Sequence, residues 1–525
     1  MKKSILKKVT LAILALVTWS SCNEDILDIK DENAYAYDTY FNTPAEIQKG
    51  VVGIYSSFYF NNMYGFKYPQ VFDAMANELE PTPAMAANQS DVMAMYKFQH
   101  NNTTDPVIGY WRMLYKMIMR SNLVIDKAEQ FITKNGDEVN VTRSLGEAYF
   151  LRGWAYSQLA FHYGRVPLRL QYNQAGIEDA PRTSSVEEVW AVAEGDLIKA
   201  KDLLPEVSTY VGNPLLIGRA SKGSATGFLG KLYLYKKEYA KANTEFALLT
   251  GKYSLLPANQ WMENFGQDNE NNSESIFEIQ FEWFDGNFLW GNFTGSPEGN
   301  GAPSTQNAHV QLYTWGGVGG WENSKFQPMR VNDFQYKNEA NVDIIDPRAA
   351  LTFYGGIGDN TILDNSVDGP QPYDFANLKY WYKKSTNLEN EPSNFLQSSV
   401  NVRLMRYADV LLMQAECKLE TGDIPGAMTL INAVRTRIGA FTYANSYTKD
   451  QAFELLKRER QLEFMGEQIR YSDLKRWGIL EETMNPELQI LFGIQPVQGK
   501  HDLFPIPQLE IDTNLGLGAI DNNWN

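Results

Sequence analysis

The densest run of ionisable side chains in this sequence is Arg458, Glu459, Arg460, Glu463, Glu467, Arg470, Asp473, Lys475 and Arg476. Carboxylates interleaved with strong cations can move protons, so an acid–base centre is the first chemistry to weigh. Glu459, Glu463 and Glu467 recur every fourth residue, which places them on one face of a helix with arginines between them. A catalytic carboxylate pair needs an open cleft, whereas guanidinium and carboxylate in this alternation make two-pronged ion pairs that fix one helix to its neighbours. The spacing therefore predicts a bracing network.

Glu278, Glu282 and Asp285 offer a second set of carboxylates, and two of them suitably separated would make a glycoside hydrolase. His100, His162, His309 and His501 are too far apart in sequence for a metal-ligand motif, which disfavours a zinc hydrolase. The segment Asp364-Asn365-Ser366-Val367-Asp368-Gly369 begins like a calcium loop, but Phe375 stands where the bidentate Glu is needed and Pro370 follows the Gly. It reads as a surface turn. No G-x-S-x-G, phosphate loop or dinucleotide fingerprint occurs.

The remaining chemistry is recognition. Trp261, Trp283, Trp290, Trp315, Trp321 and Trp381 fall between residues 261 and 400, a stretch rich in Gly and Asn. A sugar ring packs its C–H face on an aromatic plane while its hydroxyls bond amides and carboxylates. Trp283, Trp290, Tyr313, Trp315 and Trp321 lie beside such groups and are the first candidates for ligand contact. Each ring taken singly also reads as subdomain core. The loop from Tyr64 to Phe72, with Tyr64, Phe66 and Tyr68, ranks second.

These residues need a scaffold, and helical periodicity supplies it. Leu404, Ala408, Leu411, Ala415 and Leu419 form one stripe, closed by Thr421-Gly422-Asp423, and Ala427, Leu430, Ile431, Val434 and Ile438 form the next. Thr43-Pro44-Ala45-Glu46 and Ser185 to Glu188 are capping boxes that open helices. Trp111 to Ile132 and Glu147 to Tyr163 are helical, the latter apolar nearly all round, and Ala220 to Thr250 is a tight helix pair. Asn122, among apolar neighbours, is expected to bridge backbone, and Cys417 to be a small buried thiol. Short helices and loops are expected between Asn61 and His100, a strand at Ser275 to Phe281, and an extended tail beyond Gly478. Helix pairs of about 30 residues are the size of tetratricopeptide units, so the fold is mostly α: an irregular helical-repeat scaffold with a loop-rich, aromatic-rich inserted subdomain.

A formal charge of −16 and a pI near 4.9 argue against nucleic acid as a partner. Lys2, Lys3, Lys7 and Lys8, an apolar run from Val9 to Trp19 and then Ser20-Ser21-Cys22 make a secretory signal. Cys22 after small residues resembles the acylated cysteine of a lipoprotein, although Trp19 replaces the usual Leu, and Asn23-Glu24-Asp25 resembles the acidic signal for the outer face of the outer membrane. An acyl chain at Cys22 would be the sole anchor.

Several of these segments together resemble the SusD/RagB family of outer-membrane nutrient-binding lipoproteins. They are Cys22, Trp111 to Tyr115 in the helix containing Asn122, Ala148 to Arg152 leading to Tyr163-Gly164-Arg165-Val166-Pro167-Leu168, Asp346-Pro347-Arg348, Leu404 to Asp409, Arg458 to Trp477, and Leu503 to Pro507. The resemblance implies a tetratricopeptide-like scaffold sitting as a lid on a SusC-like TonB-dependent transporter, capturing oligosaccharide or polysaccharide, or in some members peptide, and performing no chemistry on it. No cofactor or metal is implied. The expected organisation is a signal at 1–21, a tether at 22–40, helical scaffold at 41–260, the ligand-binding subdomain at 261–400 and the C-terminal helical region at 401–525. Two competing expectations are a secreted glycoside hydrolase and a transporter-associated scaffold without sugar affinity.

Overall fold

The computed structural model describes residues 40–172, 175–282, 307–308, 312–313, 321, 323–353 and 398–518. Helix α1 (Pro44–Tyr55) starts where the capping box places it: the Thr43 amide donates to Glu46 Oε2 at 2.9 Å and the Glu46 amide donates to Thr43 Oγ1 at 3.3 Å. Its apolar face buries Ile47, Val51 and Ile54, and Phe58 follows in a separate 3₁₀ turn. Helix α2 (Lys67–Met75) and short helices at Pro83–Asn88 and Ser90–Tyr96 occupy the expected loop region.

The repeat array then builds up. Helices α3 (Asp105–Asn135) and α4 (Val139–Tyr163) extend beyond the predicted limits and pack on each other. In α4, Phe150, Leu151, Trp154 and Ala155 are all buried, so the helix is enclosed on both sides as its composition implies. Helix α5 (Val186–Leu203) lies against α4, and α6 (Lys222–Tyr235) and α7 (Tyr239–Ala247) form the next pair. The chain leaves the array after α7 and returns with α8 (Tyr407–Glu420) packed directly on α7, followed by α9 (Ile424–Arg437) and α10 (Lys449–Glu463). The inserted region is thus an excursion between two adjacent positions of one helical stack. Asn122 bridges backbone as expected, donating to the Arg169 carbonyl at 2.9 Å and accepting from Arg152 at 2.8 Å.

Among the described residues two antiparallel strand pairs fasten the excursion, β1 (Leu79–Pro81) with β3 (Ser324–Phe326) and β2 (Ser275–Ile279) with β6 (Val402–Arg406), and a third, β4 (Gln335–Lys337) with β5 (Asp343–Ile345), lies within it. Two expectations need correction. Leu404 belongs to β6 and not to the helix that follows, because Val402 and Arg403 pair with Ile279 and Glu278 and hold the backbone extended until Tyr407. The tail beyond Gly478 is not simply extended. After α11 (Arg470–Arg476) it forms α12 (Leu480–Phe492), which tolerates Pro486 in its interior and is tied down where Asn485 exchanges hydrogen bonds with Val497 at 2.9 Å. Leu503 to Pro507 remains non-helical, as its prolines require. The main apolar core runs from Ile47 to Leu517, a smaller one gathers Trp261, Phe265, Ile438 and Ala440, and no helix among the described residues is long and apolar enough to cross a membrane.

Candidate ligand-binding site

The arginine–glutamate segment proves to be bracing. Arg348, fully enclosed, donates to both oxygens of Asp346, to Glu459 at 2.7 Å and to Glu463 at 2.9 Å. Arg406 bridges Glu274 at 2.9 Å, Glu463 at 2.6 Å and Glu467 at 2.8 Å, while Arg435 holds Glu459 and Arg437 holds Glu463. Glu274, Asp346, Glu459 and Glu463 are matched to guanidinium groups in a site closed to water, so they offer no substrate an acid or base. The network joins α10 to β6, α9 and the segment before β2.

Above this floor lies an aromatic basin. Tyr64 and Tyr68 approach at 4.5 Å between ring centres, Tyr68 and Phe72 at 4.4 Å, and Tyr68 and Tyr110 at 4.9 Å. Tyr68 and Phe72 are four residues apart on α2 and so face the same way. Burial raises the Tyr68 phenol above its ordinary value, against the hydrogen bonds of Tyr110 and Tyr64. The insertion is anchored to this loop: the Ala308 amide donates to the Gly65 carbonyl at 3.0 Å, and Asn307 and Ser398 exchange backbone hydrogen bonds at 3.0 Å. Gly65 is required for the approach, since a Cβ there would lie 2.2 Å from the Tyr59 carbonyl oxygen. Trp321 then meets Phe66 edge to face at 6.0 Å.

A cavity opens beneath Tyr64 and Tyr68, with Trp154 and Tyr235 as further rings and Gln158, Lys231, Glu467 and Gln468 as polar groups. Burial pulls the Lys231 ammonium down, but Tyr235 and Asp409 carry it above its ordinary value, so it stays charged. At about 60 Å³ the cavity falls far short of the roughly 300 Å³ of a small-molecule pocket. It can seat a protruding hydroxymethyl or a few waters, and a larger ligand would lie across its mouth. The polar wall is held from below. Gly466 and Gln468 both take left-handed backbone angles, and their amides donate to Glu78 at 2.9 Å and Asp73 at 3.0 Å. Burial pushes the Asp73 carboxyl up to about 7 and that of Glu78 up to about 8, with the negative charge of Asp73 the next cause at Glu78.

The candidate residues divide accordingly. Tyr68 lines the cavity, and Trp321 stands half-buried beside the same loop. Tyr313 is only 2% exposed and donates its hydroxyl to Asp73 at 2.9 Å, so it is held inside the fold by a buried acceptor instead of facing a ligand. Trp283, Trp290, Trp315, Asp285, His309, the turn from Asp364 to Gly369 and Cys22 lie outside the described residues. Glu278 is 2% exposed, 3.3 Å from Arg403 and receives a hydrogen bond from Asn401 at 3.0 Å, which removes it as a hydrolytic acid. Glu282 is exposed. Burial pushes His100 down to about 3 and His501 down to about 4, and the two rings meet edge to face at 5.7 Å. Among the described residues no group of His, Cys, Asp and Glu could hold a metal. Cys417 is buried, and burial pushes its thiol up to about 12.

Gln158, Lys231, Tyr235 and Gln468 escape sequence reasoning. Lys231 and Tyr235 do share a helix face at i,i+4, a signal of common orientation that says nothing about what they face.

Fold and basin together define a helical-repeat protein whose aromatic cluster sits where the inserted region meets the stack. The sequence model of the SusD family matches residues 273–524, and a model described as starch-binding associating with outer membrane matches residues 25–234. A SusD-like protein of Formosa agariphila is 25% identical over 513 residues, which is 91% of this chain and 92% of that one. The crystal structure of a SusD superfamily protein from Bacteroides vulgatus superposes with a TM-score of 0.75 at 26% identity, covering 92% of this chain and 100% of that one. Surface glycan-binding protein A from Bacteroides thetaiotaomicron, in complex with laminarihexaose, has a TM-score of 0.68 at 20% identity, covering 91% of this chain and 99% of that one. The chain belongs to the SusD/RagB family.

Proposed function

We propose that this protein is a lipid-anchored, non-catalytic receptor at the cell surface. It captures an oligosaccharide or polysaccharide across the aromatic basin and passes it to a SusC-like TonB-dependent transporter. The observation that carries this reading is the junction of loop and insertion, where half-buried Tyr68 lines a cavity with Glu467 and Gln468, and half-buried Trp321 packs on Phe66 of the same loop. That combination of planes and hydrogen-bonding groups suits a pyranose. The laminarihexaose bound by a protein of the same fold supports the ligand class. The ligand-contact residues of this reading are Tyr68 and Trp321, with Trp283, Trp290 and Trp315 contributed by the rest of the insertion. Anchorage is assigned to Cys22, with the chain facing outward.

Isothermal titration against a panel of plant and host polysaccharides tests the proposal. A binder should emerge, and Trp321→Ala should weaken it by about 1–3 kcal/mol, the scale of one buried aromatic contact. Silence across the panel would sink it.

A further inference from the structure

A second cleft, of about 390 Å³, lies between the turn joining α6 to α7, the end of α8, the start of α10 and the end of α11. That volume is within the roughly 300–1,000 Å³ of small-molecule sites, unlike the cavity under Tyr68. Trp477, Phe453 and Tyr239 line it, with Trp477 and Phe453 edge to face at 5.9 Å. Glu416 also lines it and is 2% exposed. One oxygen of Glu416, Oε1, receives the Trp477 indole N–H at 3.2 Å and a guanidinium hydrogen bond from Arg476. The other, Oε2, is buried with no hydrogen-bond partner among the described residues. Buried carboxylate oxygens ordinarily have a donor, so this one has a hydrogen bond still to accept.

The charges around the cleft select among donors. Its cations and carboxylates are equal in number, and at the rim Lys449 pairs with Glu420 at 2.6 Å and Lys457 with Glu454 at 2.7 Å. A strongly charged ligand would meet no compensating field. A neutral polyhydroxylated ring suits every part: a hydroxyl for Glu416, acceptors for the rim lysines and a C–H face for Trp477. We propose that this cleft is a second saccharide site, taking a short neutral sugar with a hydroxyl donated to Glu416 and its ring against Trp477. It is separate from the basin at the insertion and does not depend on that basin binding sugar.

The indole N–H of Trp477 reports directly on Glu416, so nuclear magnetic resonance of the intact protein with isotopically labelled tryptophan is the test. The signal is assigned by its loss in Trp477→Phe. Glucose, galactose, mannose and xylose are each titrated to about 50 mM, enough to load most of a site of millimolar affinity. At least one sugar should move the Trp477 signal saturably, unchanged in Trp321→Ala, and Glu416→Gln should weaken it about tenfold or more. Should Glu416→Gln not fold, Glu420→Gln at the rim should weaken binding about threefold. A signal that no sugar moves, equal affinity in the wild type and the folded variant, or a response to triglycine alone would overturn the proposal.

Discussion

Arg348 has no contact with water, and its guanidinium meets both oxygens of Asp346 and Glu459 and one of Glu463. Removing it would leave those carboxylates buried and under-matched, a situation that costs about 3–5 kcal/mol. Arg348→Met should therefore lower stability by that amount in urea unfolding. Lys252→Ala, at a pair with Glu206 whose side chains are 40% and 39% exposed, should cost less than about 1 kcal/mol. Equal losses would show that the network does not brace the fold. Glu78 makes a different prediction, because its Oε1 has no hydrogen-bond partner among the described residues and its carboxyl is pushed up to about 8. The folded chain then keeps a proton that the unfolded chain releases above about 4.5. Stability from this group is full below the unfolded value and is lost as pH rises toward about 8. Glu78→Gln, which retains an acceptor for the Gly466 amide, should flatten the fall in unfolding free energy between about pH 5 and pH 8. An unchanged slope would mean that Glu78 is ionised throughout.

The helices meet closely because small residues line their contacts. A Cβ at Gly230 in α6 would stand 2.6 Å from the Phe246 ring of α7, whereas one at Gly195 in α5 would meet nothing within 4 Å. Gly230→Ala should lose about 1–3 kcal/mol to overpacking, against a propensity gain of about 1 kcal/mol. Gly195→Ala should gain about 0.5–1 kcal/mol, and thermal unfolding of the two variants compares the effects directly. This scale also marks what could be read from sequence. Caps and apolar stripes are local, so α1, α5, α8 and α9 were legible from Thr43, Ser185 and the Ala and Leu periodicity. Strand β6 was not, because its extended backbone depends on β2, far away in sequence, and runs straight into α8. Helix α12 was hidden by Pro486, which local rules read as a breaker. At the site, Tyr68 was visible as an aromatic on an irregular loop. Its neighbours Gln158, Lys231 and Gln468 converge from three separate elements, and no spacing along the chain encodes that meeting.

The two family matches, 25–234 and 273–524, divide the sequence but not the molecule. The C-terminal tail crosses back onto the N-terminal helices. The Phe504 amide donates to the His162 carbonyl at 2.6 Å, the Phe504 ring stacks on His162 at 5.3 Å, and Arg169 pairs with Glu510 at 2.7 Å. Phe504 also lies 6.1 Å from Phe72, on the helix that carries Tyr68. The tail therefore closes the same core that supports the aromatic basin, and the halves should unfold together. Near- and far-ultraviolet circular dichroism in urea should give coincident transitions. Phe504→Ala should shift both by about 3–5 kcal/mol, the cost of a large cavity at a buried ring. If the variant only made the tail protease-sensitive while both midpoints stayed fixed, the tail would be a separable strap, and the basin would owe its geometry to the N-terminal helices alone.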